Sequence, residues 1–252
     1  MPKPLNLKRA VLAILLFGVS FGYVEAAVVV YLREITEPVV ERLDPGRSPA
    51  DLFPLLPPAA LKESTHPLLW KAFEIEIGRE AATMVMLAAV AVAIGPNGTE
   101  SLAAFVMAFG VWDIAFYGFL RIFIGWPASL LTWDLLFLLP VPWAGPVLAP
   151  VIVSLSMIVA GSLVLWRAGG DRPVRLNWLH WLGVLLGGLI IVFSFTWNFR
   201  SLLAGGAPQH FNWTLFAIGE ALSLGAFLHA FKQDRHSRTT EIEGFAQNHQ
   251  RA

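Results

Sequence analysis

Four carboxylates stand where apolar residues surround them. They are Glu25 in GYVEAAVVVYL, Glu80 in REAATMVML, Asp113 in GVWDIAFY and Asp134 in LLTWDLLFLLPVPW. Carboxyl groups that share an apolar site cannot all ionise cheaply, so some hold a proton near neutral pH. That property suits general acid–base chemistry or a proton relay. Glu25, Glu80, Asp113 and Asp134 are therefore the candidate catalytic residues. Tyr117 and Arg121 follow Asp113 at four-residue steps, on one helical face. His210, Asn212 and Glu220 cluster in QHFNWTLFAIGEAL. These five are candidate substrate-binding residues.

A purely structural reading stands beside each of these. The acids and arginines could form a network that locks helices together. Glu76 with Arg79 reads as an interfacial ion pair. Arg121 and Arg200 could be anchors whose stems lie in lipid while their heads reach water. His180, between Trp178 and Trp181, reads as interfacial, and His229 as a polar residue at an inner helix end. Acids together with His66 or His210 could hold a hard cation, but no HExxH or other spaced ligand pattern is present. No metal ligand and no cofactor is assigned. GxSxG, the P-loop and the dinucleotide fingerprint are also missing.

The elements that must position these groups are membrane helices. Of 252 residues, 56% are hydrophobic and 14% charged, against roughly 25% charged in a soluble domain. The mean hydropathy is +0.62. The formal net charge is zero, which gives no electrostatic footprint for nucleic acid. The chain has no cysteine, so disulfides and thiolate chemistry are excluded. Many of its 10 Trp lie near the ends of apolar runs, where aromatic belts form.

Runs long enough to span a bilayer fall at about 11–32, 78–95, 101–123, 147–166, 178–198 and 213–231. Between Pro127 and Pro140 the apolar run is too short to span. Prolines at 140, 142, 146 and 150 then interrupt any helix. The expectation is a re-entrant segment over 127–146. Charge supports it. Lys3, Lys8 and Arg9 place the N-terminus in the cytoplasm, and Arg167, Arg172 and Arg175 do the same for the loop before the fifth run. Lys232, Arg235 and Arg238 put the C-terminal tail there too. Seven crossings would leave Arg167, Arg172 and Arg175 outside.

The fold class read from the sequence is an all-α polytopic membrane helix bundle, with six spanning helices and one Pro-broken re-entrant segment; a seventh span is the alternative. The bundle covers 1–231, with an outer segment at 33–77, and 232–252 form a polar, disordered cytoplasmic tail. In this topology Glu25, Glu80, Asp113, Asp134 and Glu220 all fall in the outer half or at the midplane. Gly18 and Gly22 share a face with Glu25, and GxxxG allows close helix approach, so Glu25 should point into the bundle. One acidic cavity open to the outer face is expected. The partners expected are the lipid bilayer and a lipid or small-molecule ligand. Three functions fit: a membrane-embedded enzyme acting on a lipid or isoprenoid-like substrate, a cation- or proton-coupled carrier or channel, and an accessory subunit. A blind cavity would favour the first and a through-path the second.

Overall fold

The computed structural model describes residues 6–43, 67–170, 174 and 176–249. The middle of the expected outer segment lies outside these residues, as do His66, Arg172 and Arg175. The helices are α1 (Leu7–Leu43), α2 (Pro67–Ile94), α3 (Gly98–Ile124), α4 (Leu148–Gly169), α5 (Trp178–Thr196), α6 (Phe199–Leu203) and α7 (Trp213–His249). Two short strands, β1 (Trp133–Phe137) and β2 (Trp143–Pro146), lie between α3 and α4. Six helical stretches are long and apolar enough to cross a membrane: Leu7–Pro38, Trp70–Ile94, Gly98–Ile124, Leu148–Gly169, Trp178–Leu203 and Trp213–Gln233. The chain is a multi-pass membrane helix bundle.

No seventh helix forms over 127–146. That segment is an antiparallel hairpin, with Asp134 opposite Gly145 and Leu135 opposite Ala144, and an irregularity between Leu135 and Phe137. The prolines explain it, since Pro140, Pro142 and Pro146 would each remove a helical hydrogen bond. The structure is otherwise helical, as expected, and this small two-stranded sheet is the one addition among the described residues. The first and last helices also outrun the apolar sequence: α1 continues past Leu32 to Leu43, and α7 runs through the polar tail to His249.

Chain order gives the bundle two different ends. The start of α1, the α2–α3 turn, the α4–α5 loop and residue Gln233 of α7 lie at one end, called the terminal face. The hairpin, α6 and the start of α7 lie at the other, called the hairpin face. Local signals fix the turns. Asn97 caps α3 by accepting the Glu100 N–H (3.0 Å), and Gly125 closes it at φ 70°. Asn177 and His180 form a reciprocal cap on α5.

Small residues set the helix packing. A Cβ on Gly18 would lie 2.7 Å from Val111 Cγ1, and one on Gly22 would lie 2.8 Å from Ala115 Cβ. The GxxxG face of α1 therefore rests directly on α3. Gly187 and Gly219 give α5 and α7 the same close approach, each facing the other's carbonyl. In the terminal half, Ile14, Leu87, Ala91, Ala104 and Met107 fill the space between helices. At the hairpin face, Trp133, Leu136 and Trp143 pack with Phe195, Phe211 and Phe216, which ties the hairpin to α5 and α7.

Candidate functional site

α1 and α2 both pack on α3 but scarcely on each other. The cleft left between them holds a cavity of about 360 Å³, roofed by the hairpin. From the level of Glu25 to that of Thr36 it extends about 16 Å, at 1.5 Å per helical residue. Glu25, Glu80, Asp113 and Asp134 all line it, and so does Tyr117. Four of the expected catalytic acids and one expected binding residue are thus brought together. Phe73, Trp112, Phe116, Leu120 and Trp126 supply the apolar part of the wall.

Each acid has a partner from a different element. Arg79 of α2 bridges Glu25 of α1 and Glu76 of its own helix. Its Nε also donates to Glu76 Oε2 (2.9 Å). The Thr83 hydroxyl is 3.2 Å from Glu25 Oε1 and 2.9 Å from the Arg79 carbonyl, and its one proton can serve either. The Leu138 N–H of the hairpin donates to both oxygens of Glu80 (3.0 and 2.9 Å). The Tyr117 hydroxyl donates to Asp134 Oδ2 (2.7 Å), and the Leu135 N–H to Asp134 Oδ1 (2.8 Å). Burial pushes the Asp134 carboxyl above the ordinary aspartate range. The Tyr117 hydroxyl, the Leu135 N–H and the Arg33 charge act against that rise.

Asp113 is different. Its Oδ2 accepts from the Ser154 hydroxyl of α4 (2.8 Å), and the residue is 9% exposed. Its Oδ1 has no hydrogen-bond partner among the described residues. Below it, Trp112 stacks on Phe21 (centroids 6.0 Å apart), and Ile14, Leu87 and Ala91 close the space toward the terminal face. The cavity is blind in that direction.

The other expected residues lie elsewhere. Arg121 does not extend a row from Asp113 through Tyr117, because Tyr117 turns to Asp134. Arg121 instead donates to the carbonyls of Gly125 and Pro127 (3.0 Å to the latter) and holds the turn into the hairpin. Asn212 accepts from the Leu215 N–H (3.0 Å) and caps α7. The His210 carbonyl accepts from Asn198 Nδ2 (3.1 Å). Glu220 accepts from Ser156 on α4. None of these four lines the cavity.

Three participants escaped sequence reasoning. Ser154 sits in VIVSLSMIVAG, where a hydroxyl in an apolar run was the available signal. Arg33 lies over the Trp126 ring (5.0 Å to the centroid), and both stand just beyond the apolar runs read at 11–32 and 101–123. Arg79 was expected to pair with Glu76 alone; its bond to Glu25 depends on helix rotation. His180 and His229, read from the sequence as an interfacial and an inner-end polar residue, contact each other across α5 and α7 (Nε2 to Nδ1, 3.0 Å).

Among the described residues, no three His, Asp or Glu side chains converge in a way that would hold a metal ion. The site can accept hydrogen bonds, exchange protons and enclose a small or partly apolar molecule. No protein-family model, curated protein or solved structure matches this chain.

Proposed function

We propose that this protein is a membrane-embedded enzyme that performs carboxylate acid–base chemistry on an amphiphilic, lipid or isoprenoid-like substrate. The single observation that carries the reading is the unpartnered Asp113 Oδ1 on the wall of a blind cavity. Intramembrane acids are expensive to keep, at roughly 2.5–3.5 kcal/mol near the bilayer centre on insertion scales. An acid kept only to lock helices has no need to present an oxygen to a cavity. Asp113 has one oxygen engaged and one open to a ligand. The cavity volume falls at the low end of small-molecule sites, roughly 300–1,000 Å³. A whole phospholipid exceeds it, so the polar end of the substrate enters and the tail leaves through the α1–α2 cleft. Asp113 is the proton-transferring residue in this reading. Tyr117 with Asp134 is a second proton-holding pair at the roof.

The basic residues set the orientation we adopt. Lys8 and Arg9, Arg167, and Lys232 all belong to the terminal face, which is cytoplasmic by the positive-inside rule. The hairpin then dips into the membrane from the outer side. Cysteines introduced as Gly169→Cys and Gly205→Cys should label from opposite sides; labelling of both from one side would reject this topology.

The function is tested by incubating the purified full chain and Asp113→Asn with a total lipid extract of the host and following products by mass spectrometry. A lipid species converted by wild type and not by the variant supports the reading. A species bound and moved across liposomes unchanged makes the protein a carrier. Equal behaviour of the two proteins rejects Asp113 as the reacting group.

A further inference from the structure

We infer that the polar end of the molecule bound in this cavity carries a protonated amine. The inference rests on the reading of the cavity as a ligand site and adds the charge of the ligand to it. Five carboxylates and two guanidiniums line the cavity. Both guanidiniums are already engaged: Arg79 bridges Glu25 and Glu76, and Arg33 lies over Trp126 beside Asp134. A phosphate or carboxylate headgroup would meet Glu80, Asp113 and Asp134 without an uncommitted cation to receive it. An anion would be tolerated only if these acids hold their protons, whereas an ammonium group favours their charged form and pairs with it.

An ammonium group finds the opposite. Asp113 lines the cavity with Oδ1 free of any hydrogen bond among the described residues, and Trp112 and Phe116 line it from the same helix. The wall also holds the indole N–H groups of Trp112 and Trp126, but a carboxylate acceptor beside aromatic faces is the combination that favours an ammonium group. A bare metal ion is a poorer occupant, because the acids do not converge on a point and each of the others is already bonded. An alkyl chain attached to the amine would run along Val29, Leu32, Ala72 and Phe73 into the α1–α2 cleft. The occupant is therefore an amine with an apolar tail.

Three eight-carbon probes separate the possibilities: octylamine, octanol and octanoate, titrated near pH 7 into the full chain in non-ionic detergent. Trp112 and Trp126 lie in the wall, so intrinsic fluorescence reports occupancy. Octylamine should bind saturably and at least about tenfold tighter than octanol, the scale of one charge-assisted hydrogen bond. Octanoate should not bind. Asp113→Asn should lose the preference for the amine, Asp113→Glu should retain most of it, and Glu34→Gln, an exposed acid outside the cavity, should leave it unchanged. Octanol binding as tightly as octylamine, with a loss on Asp113→Asn, would overturn the charge assignment and leave the cavity as the site. Tighter binding of octanoate would overturn it more strongly. If none of the probes binds, or binding is indifferent to Asp113→Asn, the ligand site itself is rejected.

Discussion

The two halves of this bundle solve the same packing problem with different chemistry. Toward the terminal face, α1, α2, α3 and α4 meet through Ile14, Leu87, Ala91, Ala104 and Met107, with Gly18 on α1 removing side-chain bulk. Toward the hairpin face, α1 and α2 separate and the space between them is lined by acids. Apolar helices in lipid gain little from hydrophobic contact with each other, so the terminal half relies on close van der Waals fit. The hairpin half relies on polar bonds between elements: α1 to α2 through Glu25 and Arg79, α2 to the hairpin through Glu80 and Leu138, α3 to the hairpin through Tyr117 and Asp134, and α3 to α4 through Asp113 and Ser154. The comparison teaches where function can reside. The terminal half keeps a cavity of about 470 Å³ beside the α2–α3 turn, but Glu100 is the one charged side chain among the described residues that line it. A half held by side-chain bonds can enclose a ligand and still be held together.

The contrast breaks first at Arg79. Replacing it by Leu strands Glu25 and Glu76, and breaking a buried pair costs about 3–5 kcal/mol. Because Arg79 is partly exposed, the low end of that range is expected. Thermal unfolding in detergent would show it, and adding Glu25→Leu should recover part of the loss. A change near zero would mean that the α1–α2 bridge carries no load. Gly22→Val probes the fitted half of α1 near its boundary with the cavity. A branched side chain would press on Ala115 and the Phe116 backbone, costing about 1–3 kcal/mol. Gly118, also on α3, has no heavy atom within 4 Å of a built Cβ, so Gly118→Ala should be neutral or slightly stabilising. The same melting assay compares the two.

The smallest effect concerns the roof. Tyr117→Phe removes the hydroxyl bond to Asp134 and should cost about 1 kcal/mol. Asp134 also gives the protein a pH dependence. Its folded-state proton affinity is raised by burial, so its contribution to stability is fully present below the ordinary aspartate pKa. That contribution is lost as pH rises through the raised folded value. Asp134→Asn should therefore unfold with a shallower fall in stability over rising pH than wild type. A steeper fall would reverse the sign assigned to Asp134.

The spans were legible because lipid imposes length and apolarity on them. Six runs read from the sequence reappear as six helices with shifted ends. The hairpin was legible only as a failed helix. Its prolines announce the interruption, but strand pairing between Trp133–Phe137 and Trp143–Pro146 depends on contacts with Phe195 and Phe211 far along the chain. The acids were legible because each interrupts an apolar stretch of sequence. Their partners were not, since rotation of α2 decides whether Arg79 reaches Glu25, and the hairpin backbone that meets Glu80 has no side-chain signature. Asn212 and Arg121 looked like site residues and act as a cap and a turn anchor, roles that polar residues at helix ends commonly take.

The central claim is that one cavity, reached from the hairpin face and closed toward the terminal face, surrounds Asp113. The absence of cysteine allows a direct test with single cysteines in sealed, oriented vesicles. Phe116→Cys lies on the cavity wall, and Ala91→Cys lies in the packed half, where Ala91 is 2% exposed. A small water-soluble thiol reagent added at the hairpin face should modify the first and spare the second; from the terminal face it should modify neither. Modification of Phe116→Cys from the terminal face, or of Ala91→Cys from either, would contradict a blind cavity.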